Sequence, residues 1–385
     1  MCRLLSLALL LVMCSAMGAA AKPIFEPTDF QTIAGWADAD HQAALMAFRR
    51  SCDEIEATGQ AFQRKVAYGG TRQDWLAICG RLKSSSDPRR FFEESFTPLI
   101  VRDPDRPQGL FTGYYEPEAE GSLTPGGAYT VPLYAKPADL VSFDASTAKR
   151  LGVAYGRKVG GKPQAYYTRR EIEEGALKGR GLEFVWLKDW ADAFFIQVQG
   201  SGRVRLADGK VMRVAYAAKT GLPYTAVGGI LVERGVLTRD TASMQTIRAW
   251  MRDNPKPARE LMWENKSFVF FRKNSSGDPK LGPPGAQKVA LTPFHSLAVD
   301  RSLWMFGTPV WLDTQAPKGE SGELVPFRAL LVAQDTGTAI KGHARGDVFW
   351  GAGKEAALTA GQMKSPGRMI VLLPKPLAKR LLSHQ

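Results

Sequence analysis

The sequence predicts a mainly β protein with α-helices, of the α+β class, with a helical N-terminal part. Two observations support this prediction. Apolar residues recur at helical spacing in the N-terminal third, whereas short apolar runs bounded by Gly and Pro prevail from about residue 265 onward. Because those later runs do not alternate with helical segments, a parallel α/β sheet is disfavoured and a β-barrel or β-sandwich is expected.

The helical prediction rests on spacing and on capping residues. Apolar residues three and four apart mark a first helix that ends before Gly59; they are Leu45, Phe48, Cys52 and Ile55. A second helix is expected around residues 74–79. Further along, Thr168 and Glu171 form a capping box that opens a short helix. Helical patterning then returns in stretches from residue 225, before the β-rich end of the chain.

The β prediction begins near residue 110, where aromatic residues, Gly and short alternating runs appear. Its clearest local signal is a hairpin over residues 203–216, in which two β-rich runs flank Asp208-Gly209, a preferred pair for a tight turn. There is no internal repeat and no Pro/Ser-rich linker. An inserted β module within a second domain is therefore as plausible as two consecutive domains.

Composition limits the classes of protein that remain. The chain has 385 residues, 44% of them hydrophobic, which is enough for one large or two ordinary domains and excludes a disordered chain. Its 51 Lys and Arg against 38 Asp and Glu give a net charge of +13. The basic residues are scattered, with no block that would follow a phosphate backbone. The charge suits a polyanionic substrate or surface, and nucleic acid is not expected as a partner.

Residues 1–21 have the anatomy of a secretory signal peptide. Arg3 precedes an apolar run over residues 4–13, and Ala19 and Ala21 form an A-x-A cleavage site. The run is too short to span a bilayer. A lipoprotein signal acylated at Cys14 is the alternative, although the Met before it is larger than the residue expected there. The sequence thus predicts an exported protein.

Two cysteines, Cys52 and Cys79, remain after the predicted signal peptide. An even pair in an exported protein permits one disulfide, while two buried free thiols on helix faces are the other interpretation. The chain has no C-x-x-C motif and its four histidines are dispersed, so no metal site is expected. It also lacks a G-x-S-x-G elbow and a phosphate-binding loop, and no cofactor is expected.

Carboxylates at the ends of apolar strands are the strongest catalytic candidates. Asp335 ends the run PFRALLVAQ, and Asp347 follows a basic, glycine-containing turn over residues 341–346. Acids in such places, where Gly lets the backbone approach a ligand, fit general acid–base chemistry on a sugar. Asp before Thr-Gly is also an ordinary turn former. Four aromatic residues could stack on sugars or fill a core: Tyr114, Tyr115, Phe349 and Trp350.

Seven blocks of sequence, in order, carry a family resemblance. They are FTGYYEPEAEGS (111–122), VPLY (131–134), FFIQVQGSGRVRLADG (194–209), VAYAAKTGLPY (214–224), SFVFFR (267–272), LAVDRS (297–302) and LLVAQDTGTAIKGHARGDVFWGAG (330–353). Together they resemble the membrane-bound lytic murein transglycosylase A family, whose C-terminal domain carries three aspartates. The resemblance runs from about residue 90 to about residue 374.

The resemblance implies a nested architecture. A double-psi β-barrel domain with N-terminal helices would be built from residues 22–110 and 215–385. A smaller, barrel-like β domain would be inserted over residues 111–214. The substrate strand would lie in the groove between the two domains, so that the insert forms the second wall.

The resemblance also implies site residues. The three aspartates of the family fall on Asp300, Asp335 and Asp347, with Asp347 as the catalytic acid and the other two as supporting residues. The substrate-binding positions implied are Thr112, Gly113, Tyr114, Tyr115, Gln199, Gly200, Ser201, Gly202, Tyr216, Lys219, Lys341 and Gly342. Where the family usually has Asp-x-Gly-Gly, this chain has Asp-Thr-Gly-Thr at residues 335–338.

The implied reaction breaks the β-1,4 bond between N-acetylmuramic acid and N-acetylglucosamine of peptidoglycan and leaves a 1,6-anhydro end, with one Asp as acid and then base. A hydrolase that uses Asp335 with Asp347, or a non-catalytic wall-binding protein, is the alternative. The implied place is the periplasm, free or attached to the outer membrane. Peptidoglycan strands are the implied partner of a monomer, with cell-wall synthesis or division proteins as further candidates.

Overall fold

The computed structural model describes residues 24–104, 107–274, 278 and 280–383. The predicted signal peptide and Cys14 lie outside the described residues. The helices are α1 His41–Ala57, α2 Arg72–Leu82, α3 Pro88–Ser95, α4 Ala145–Leu151, α5 Arg169–Glu171, α6 Trp190–Gln199, α7 Val227–Glu233, α8 Met244–Asp253, α9 Pro255–Glu264, α10 Lys354–Gln362 and α11 Lys375–Leu382. None of those described has both the length and the hydrophobicity to cross a membrane.

The strands divide among three sheets. They are β1 Ile24–Pro27, β2 Phe96–Arg102, β3 Gly109–Glu116, β4 Glu118–Ser122, β5 Val131–Tyr134, β6 Val141–Ser142, β7 Tyr155–Val159, β8 Lys162–Ala165, β9 Glu183–Leu187, β10 Ser201–Arg205, β11 Val211–Lys219, β12 Val269–Asn274, β13 Ser296–Val299, β14 Pro309–Lys318, β15 Glu323–Asp335, β16 Arg345–Ala352 and β17 Lys364–Pro374. This content confirms the predicted mainly β class with α-helices.

Six strands close into a barrel. Their order is β3-β17-β14-β15-β13-β16, and β16 pairs back onto β3, while β2 and β1 extend the sheet outward from β17. The pairs β13–β15 and β16–β3 are parallel and the others antiparallel. Apolar side chains that alternate along the strands fill the interior, among them Phe111, Leu297, Leu331, Val348 and Val371. The expectation of a closed barrel is thereby confirmed.

The N-terminal helices pack against the outside of this barrel. Phe48 of α1, Trp75 of α2 and Phe92 of α3 lie in one buried cluster with Trp311 of β14. A disulfide between Cys52 and Cys79 joins α1 to α2. The predicted apolar stripe of the first helix is confirmed, since all four of its members are buried.

The inserted sheet is itself almost closed. Its order is β12-β11-β10-β4-β9-β5, and a bridge between Ala135 and Phe271 brings its two outer strands together. Helix α6 packs Ile196 against the inward side chains of this sheet. The predicted hairpin is present as β10 and β11, with Gly209 at φ +80° in the turn. A third, small sheet is formed by β6, β7 and β8.

The inserted sheet does not begin and end at residues 111 and 214, the boundaries that the sequence resemblance implied. Strand β3 stays in the barrel as far as Glu116, because it pairs with both β16 and β17. Residue 214 lies in the middle of β11, which pairs with β12 after the excursion through α7 to α9. An antiparallel β11 exposes a second edge, and β12 supplies its partner. The chain therefore leaves the barrel after Glu116 and returns after Asn274.

Candidate active site

The pairing of four barrel strands sets two of the predicted aspartates in one row. Asp347 of β16 lies opposite Thr112 of β3 on one side and opposite Ala298 of β13 on the other. Ala298 in turn lies opposite Asp335, the last residue of β15. Since neighbouring strands are about 4.8 Å apart, the two aspartate backbones are separated by about 10 Å.

Alternation along β3 and β16 decides which side chains line the groove. Phe111, Tyr115 and Val348 point into the barrel core. Thr112 and Asp347 therefore point to the outer face, where both are half-buried. This outer face is the floor on which the predicted chemistry would take place.

Asp347 keeps its proton to a higher pH than an ordinary aspartate does. Burial raises the pKa of its carboxyl group to about 6, even though the Thr112 hydrogen bond and the positive charge of Arg345 act in the opposite direction. The nearby charge of Asp335 adds to the rise. Oγ1 of Thr112 donates to Oδ1 of Asp347 at 2.6 Å, and Nη2 of Arg345 donates to Oγ1 of Thr112 at 2.8 Å. A carboxyl group of this pKa can act as an acid and then as a base.

Asp335 is held as an acceptor. Its Oδ1 accepts the backbone N–H groups of Ala286 and Thr336, both at 2.9 Å, and its Oδ2 accepts the hydroxyl of Tyr114 at 2.9 Å. Burial raises the pKa of Asp335 despite these hydrogen bonds. Three donors on two oxygens fix this carboxylate in place, so that it shapes the groove and orients Tyr114.

Asp300 holds the turn that leads into β16. Its side chain, 5% exposed, accepts the N–H and the hydroxyl of Ser302, the N–H of Gly342 at 3.2 Å and the ammonium of Lys341 at 3.4 Å. Burial opposes ionisation, but the hydrogen bonds from Ser302 and Gly342 and the charge of Lys341 keep the pKa of Asp300 below its usual range. Lys341 and Gly342, predicted to bind substrate, contact Asp300 in this structure.

The predicted substrate-binding positions on β3 and around the end of α6 make packing and backbone contacts. The side chain of Tyr115 lies in the barrel core, and its N–H donates to Oε1 of Gln199 at 3.2 Å. Gly200 ends α6 at φ +77°, Ser201 is buried, and a Cβ on Gly202 would meet Ile196. Gly113 faces Trp350, which a Cβ would overlap. Of the two tyrosines, Tyr114 lies on the same face of β3 as Thr112, and its hydroxyl donates to Asp335.

The insert reaches the barrel through Lys219 of β11. Its ammonium donates to Oγ1 of Thr338 at 3.3 Å, which connects the insert to the Asp-Thr-Gly-Thr turn. Burial, with the charge of Arg301, lowers the pKa of Lys219. Tyr216, also on β11, exposes 44% of its surface. Both residues feel the charge of Arg301, so they belong to the part of the insert that meets the barrel.

One contributor to the site was missed by sequence reasoning, and the contact of a second became clear only in the structure. Arg345, in the basic turn before Asp347, donates to Thr112, and its charge lowers the pKa of Asp347. Ala286 contributes only its backbone N–H, from a loop 49 residues away in sequence from Asp335. Such a backbone contact has no side-chain signature.

Comparison with known proteins places the chain in a family. The family described as MltA specific insert domain matches residues 110–272, and the 3D domain family matches residues 295–373. A membrane-bound lytic murein transglycosylase A of Vibrio cholerae is 33% identical over 263 residues, which are 68% of this chain and 64% of that protein. The matched stretch therefore spans just under two thirds of this curated relative.

Solved structures agree with this placement. The membrane-bound lytic murein transglycosylase of Agrobacterium tumefaciens superimposes with a TM-score of 0.82 at 34% identity, covering 92% of this chain and 99% of that one. The E. coli MltA with bound chitohexaose gives a TM-score of 0.63 at 26% identity, covering 92% of both chains. These likenesses confirm the double-psi β-barrel fold that the sequence resemblance implied. The chain belongs to the membrane-bound lytic murein transglycosylase A family.

Proposed function

We propose that this protein is a lytic transglycosylase that cleaves the β-1,4 bond between N-acetylmuramic acid and N-acetylglucosamine in peptidoglycan, with Asp347 as its catalytic residue. The observation that carries the proposal is one half-buried carboxyl group with a pKa of about 6 on the groove floor. Its relatives bear the name of lytic murein transglycosylase, and a neighbouring structure holds chitohexaose, a sugar chain.

In the first step, Asp347 acts as the general acid. Thr112 donates to Oδ1, which leaves Oδ2 to carry the proton and give it to O4 of the departing N-acetylglucosamine. The C1–O4 bond breaks as positive charge builds at C1 of the muramic acid. The carboxylate that remains is stabilised by Thr112, whose hydroxyl is oriented by Arg345.

In the second step, the same carboxylate acts as the base. It takes the proton of the C6 hydroxyl of the muramic acid, whose oxygen attacks C1 and closes a 1,6-anhydro ring. One bond to C1 is broken and one is formed, and the proton returns to Asp347. Because the nucleophile belongs to the substrate, no second carboxylate is needed to activate a water.

A two-carboxylate hydrolase is the second candidate. Asp335 lies two strands away from Asp347 in the same row, so that both carboxyl groups belong to one region of the barrel surface. The hydrogen bonds of Asp335 argue against this candidate, because three donors already take most of the acceptor sites on its two carboxylate oxygens. A base that activates water needs a free lone pair directed at that water.

We further propose that the enzyme works in the periplasm after export, free or attached to the outer membrane. The signal-like residues 1–21 support export. The unit from β4 to β12 serves as the second wall of the groove, and the contact of Lys219 with Thr338 sets the distance between the walls.

The test is the chemistry of the cut ends. Purified peptidoglycan is digested in ¹⁸O-water and the muropeptides are analysed by mass spectrometry. Unlabelled anhydro-muramic ends, about 18 mass units lighter than hydrolysed ones, support the proposal. Labelled reducing ends would favour the hydrolase. Intact peptidoglycan would point to the non-catalytic wall-binding protein.

A further inference from the structure

A cavity lies where the insert meets the barrel, and residues of both line it. It has a volume of about 390 Å³, and its lining includes Glu116, Arg203, Lys280, Phe294 and Glu355. We call it the Glu116 pocket. It mixes charged groups of both signs with exposed aromatic surface, which a neutral sugar chain does not require.

The Glu116 pocket shares a wall with the catalytic groove. Phe349, which lines it, lies two residues beyond Asp347 on β16, so their backbones are about 7 Å apart. The ring of Phe349 packs on Tyr114 at 5.2 Å between centroids, and Tyr114 binds Asp335. A substituent on a sugar held at Asp347 is thus within reach of the pocket.

One side of the pocket is positively charged. The buried carboxylate of Glu116 pairs with Nε of Arg203 at 3.1 Å and with Nη2 of Arg213 at 3.3 Å. Arg213 also donates to the carbonyl of Leu281 at 2.6 Å, which fixes its guanidinium group. Two cations on one carboxylate, with the exposed ammonium of Lys280 beside them, form a wall suited to a carboxylate ligand.

The other side of the Glu116 pocket carries an acidic and an aromatic side chain. Glu355, at the start of α10, is exposed and can accept an ammonium group. Phe294 exposes 48% of its surface although its backbone is left-handed, at φ +65°, a conformation that costs energy for a residue with a side chain. Its N–H donates to the carbonyl of Phe349 at 2.8 Å, which keeps the ring at this place.

We propose that the Glu116 pocket binds the peptide carried by muramic acid, with the peptide carboxylates at Arg203 and Lys280 and its amino group at Glu355. This inference rests on the proposed function, because the peptide reaches the pocket as part of the same substrate. A chain with both carboxylate and ammonium groups complements both charged surfaces, and its apolar side chains can pack on Phe294.

The experiment compares two substrates, peptide-bearing glycan strands and strands stripped of peptide by an amidase. The measured quantity is kcat/KM for the peptide-bearing strands divided by kcat/KM for the stripped strands. We expect Lys280→Glu and Arg203→Gln each to lower this ratio by about tenfold. Lys256→Glu, an exposed charge reversal on α9 away from the pocket lining, should keep the wild-type ratio. Because Lys280→Glu changes an exposed side chain, this variant still tests the proposal if Arg203→Gln weakens the fold.

A ratio within about twofold of the wild-type value in both pocket variants would overturn the proposal, because the peptide would then contribute nothing at this surface. If the wild-type protein cleaves neither strand, the proposed function fails, and the pocket is tested by calorimetry with the free stem peptide. Weaker peptide binding in Lys280→Glu supports the pocket. No binding to the wild-type protein at millimolar peptide overturns it.

Discussion

Thr112 and Asp347 face each other across the parallel pair β3–β16, and the hydroxyl of Thr112 donates to Oδ1 of Asp347 at 2.6 Å. The two residues are 235 positions apart in the chain. The hydrogen bond fixes one carboxylate oxygen, and the proposed mechanism uses the other as the proton carrier. It also carries the influence of Arg345, which contacts Thr112, to the reacting group.

The first prediction concerns the acid itself. Asp347→Asn keeps the shape and the Thr112 contact but removes the proton donor, so turnover should fall by about 10²–10⁴-fold. The measurement is release of anhydro-muropeptides per unit time. Asp240→Asn, at an exposed position, is the matched control and should retain activity. Retention of more than about a tenth of the activity by Asp347→Asn would assign the role to another group.

The second prediction separates the two carboxylates. Asp335→Asn replaces an oxygen that accepts the Tyr114 hydroxyl, so the rate should drop through displacement of Tyr114 while the product stays anhydro-muramic acid. Mass spectrometry of the digest gives both quantities. A change from anhydro to reducing ends would mean that the mechanism proposed here is wrong, since it assigns no water to Asp335.

The third prediction concerns pH. The Thr112 hydrogen bond lowers the pKa of Asp347, so Thr112→Val should raise that pKa above its value of about 6. Since the first step needs protonated Asp347, kcat/KM falls as pH rises through this pKa, and the falling limb should move to higher pH in the variant. A pH–rate profile between pH 4 and 9, roughly, covers the shift. Thr147→Val, on the exposed helix α4, serves as control.

The fourth prediction links the acid to stability. The pKa of Asp347 is about 6 when folded, against 3.8 as its ordinary value. This carboxyl group therefore ionises more easily in the unfolded chain than in the folded protein. Its contribution to the free energy of unfolding is fully present below pH 3.8 and is lost as the pH rises through 6. At pH 8, Asp347→Asn should then be more stable than the wild type by up to about 3 kcal/mol, a value that solvent screening reduces. At pH 3.5 the two proteins should be equally stable. Urea unfolding at the two pH values measures this difference.

The fifth prediction concerns the N-terminal helices. The Cys52–Cys79 disulfide closes a loop with a sequence separation of 27. Replacing both cysteines by Ser should reduce the free energy of unfolding by about 3–4 kcal/mol on the chain-entropy model. Thermal unfolding of the double variant, beside wild type with and without reductant, measures the loss. A wild-type protein whose unfolding does not respond to reductant would contradict the pairing.

Sequence reasoning reached the parts of the fold that depend on local pattern. The stripe through Phe48 and Cys52 and the turn at Asp208-Gly209 are decided by residues close together in the chain. The pairing of β11 with β12, which follows three intervening helices, could not be proposed from the sequence. Strand pairing over such distances leaves no local pattern to read.

The same contrast holds at the site. Asp335 could be proposed as an acid because it ends an apolar run, and Asp347 because it lies between a glycine-containing turn and an apolar run. The family resemblance then assigned the catalytic role to Asp347. The support of Asp335 by the N–H of Ala286 could not be proposed, since any residue but proline offers that group. Tyr115 was expected to meet the substrate, but one residue along a strand reverses the face, and it fills the core.

The closure of the barrel by β3 has a consequence for the order of assembly during synthesis. Strand β3 ends at Glu116, yet its two neighbours, β16 and β17, lie beyond residue 344. The inserted sheet, from β4 to β12, can complete its pairing while those two strands are still to emerge. Thr112 meets Asp347 only when β16 arrives, so a nascent or C-terminally truncated chain has no assembled acid. In the proposed function, cleavage therefore requires nearly the whole polypeptide, because β16 and β17 lie close to its C-terminal end.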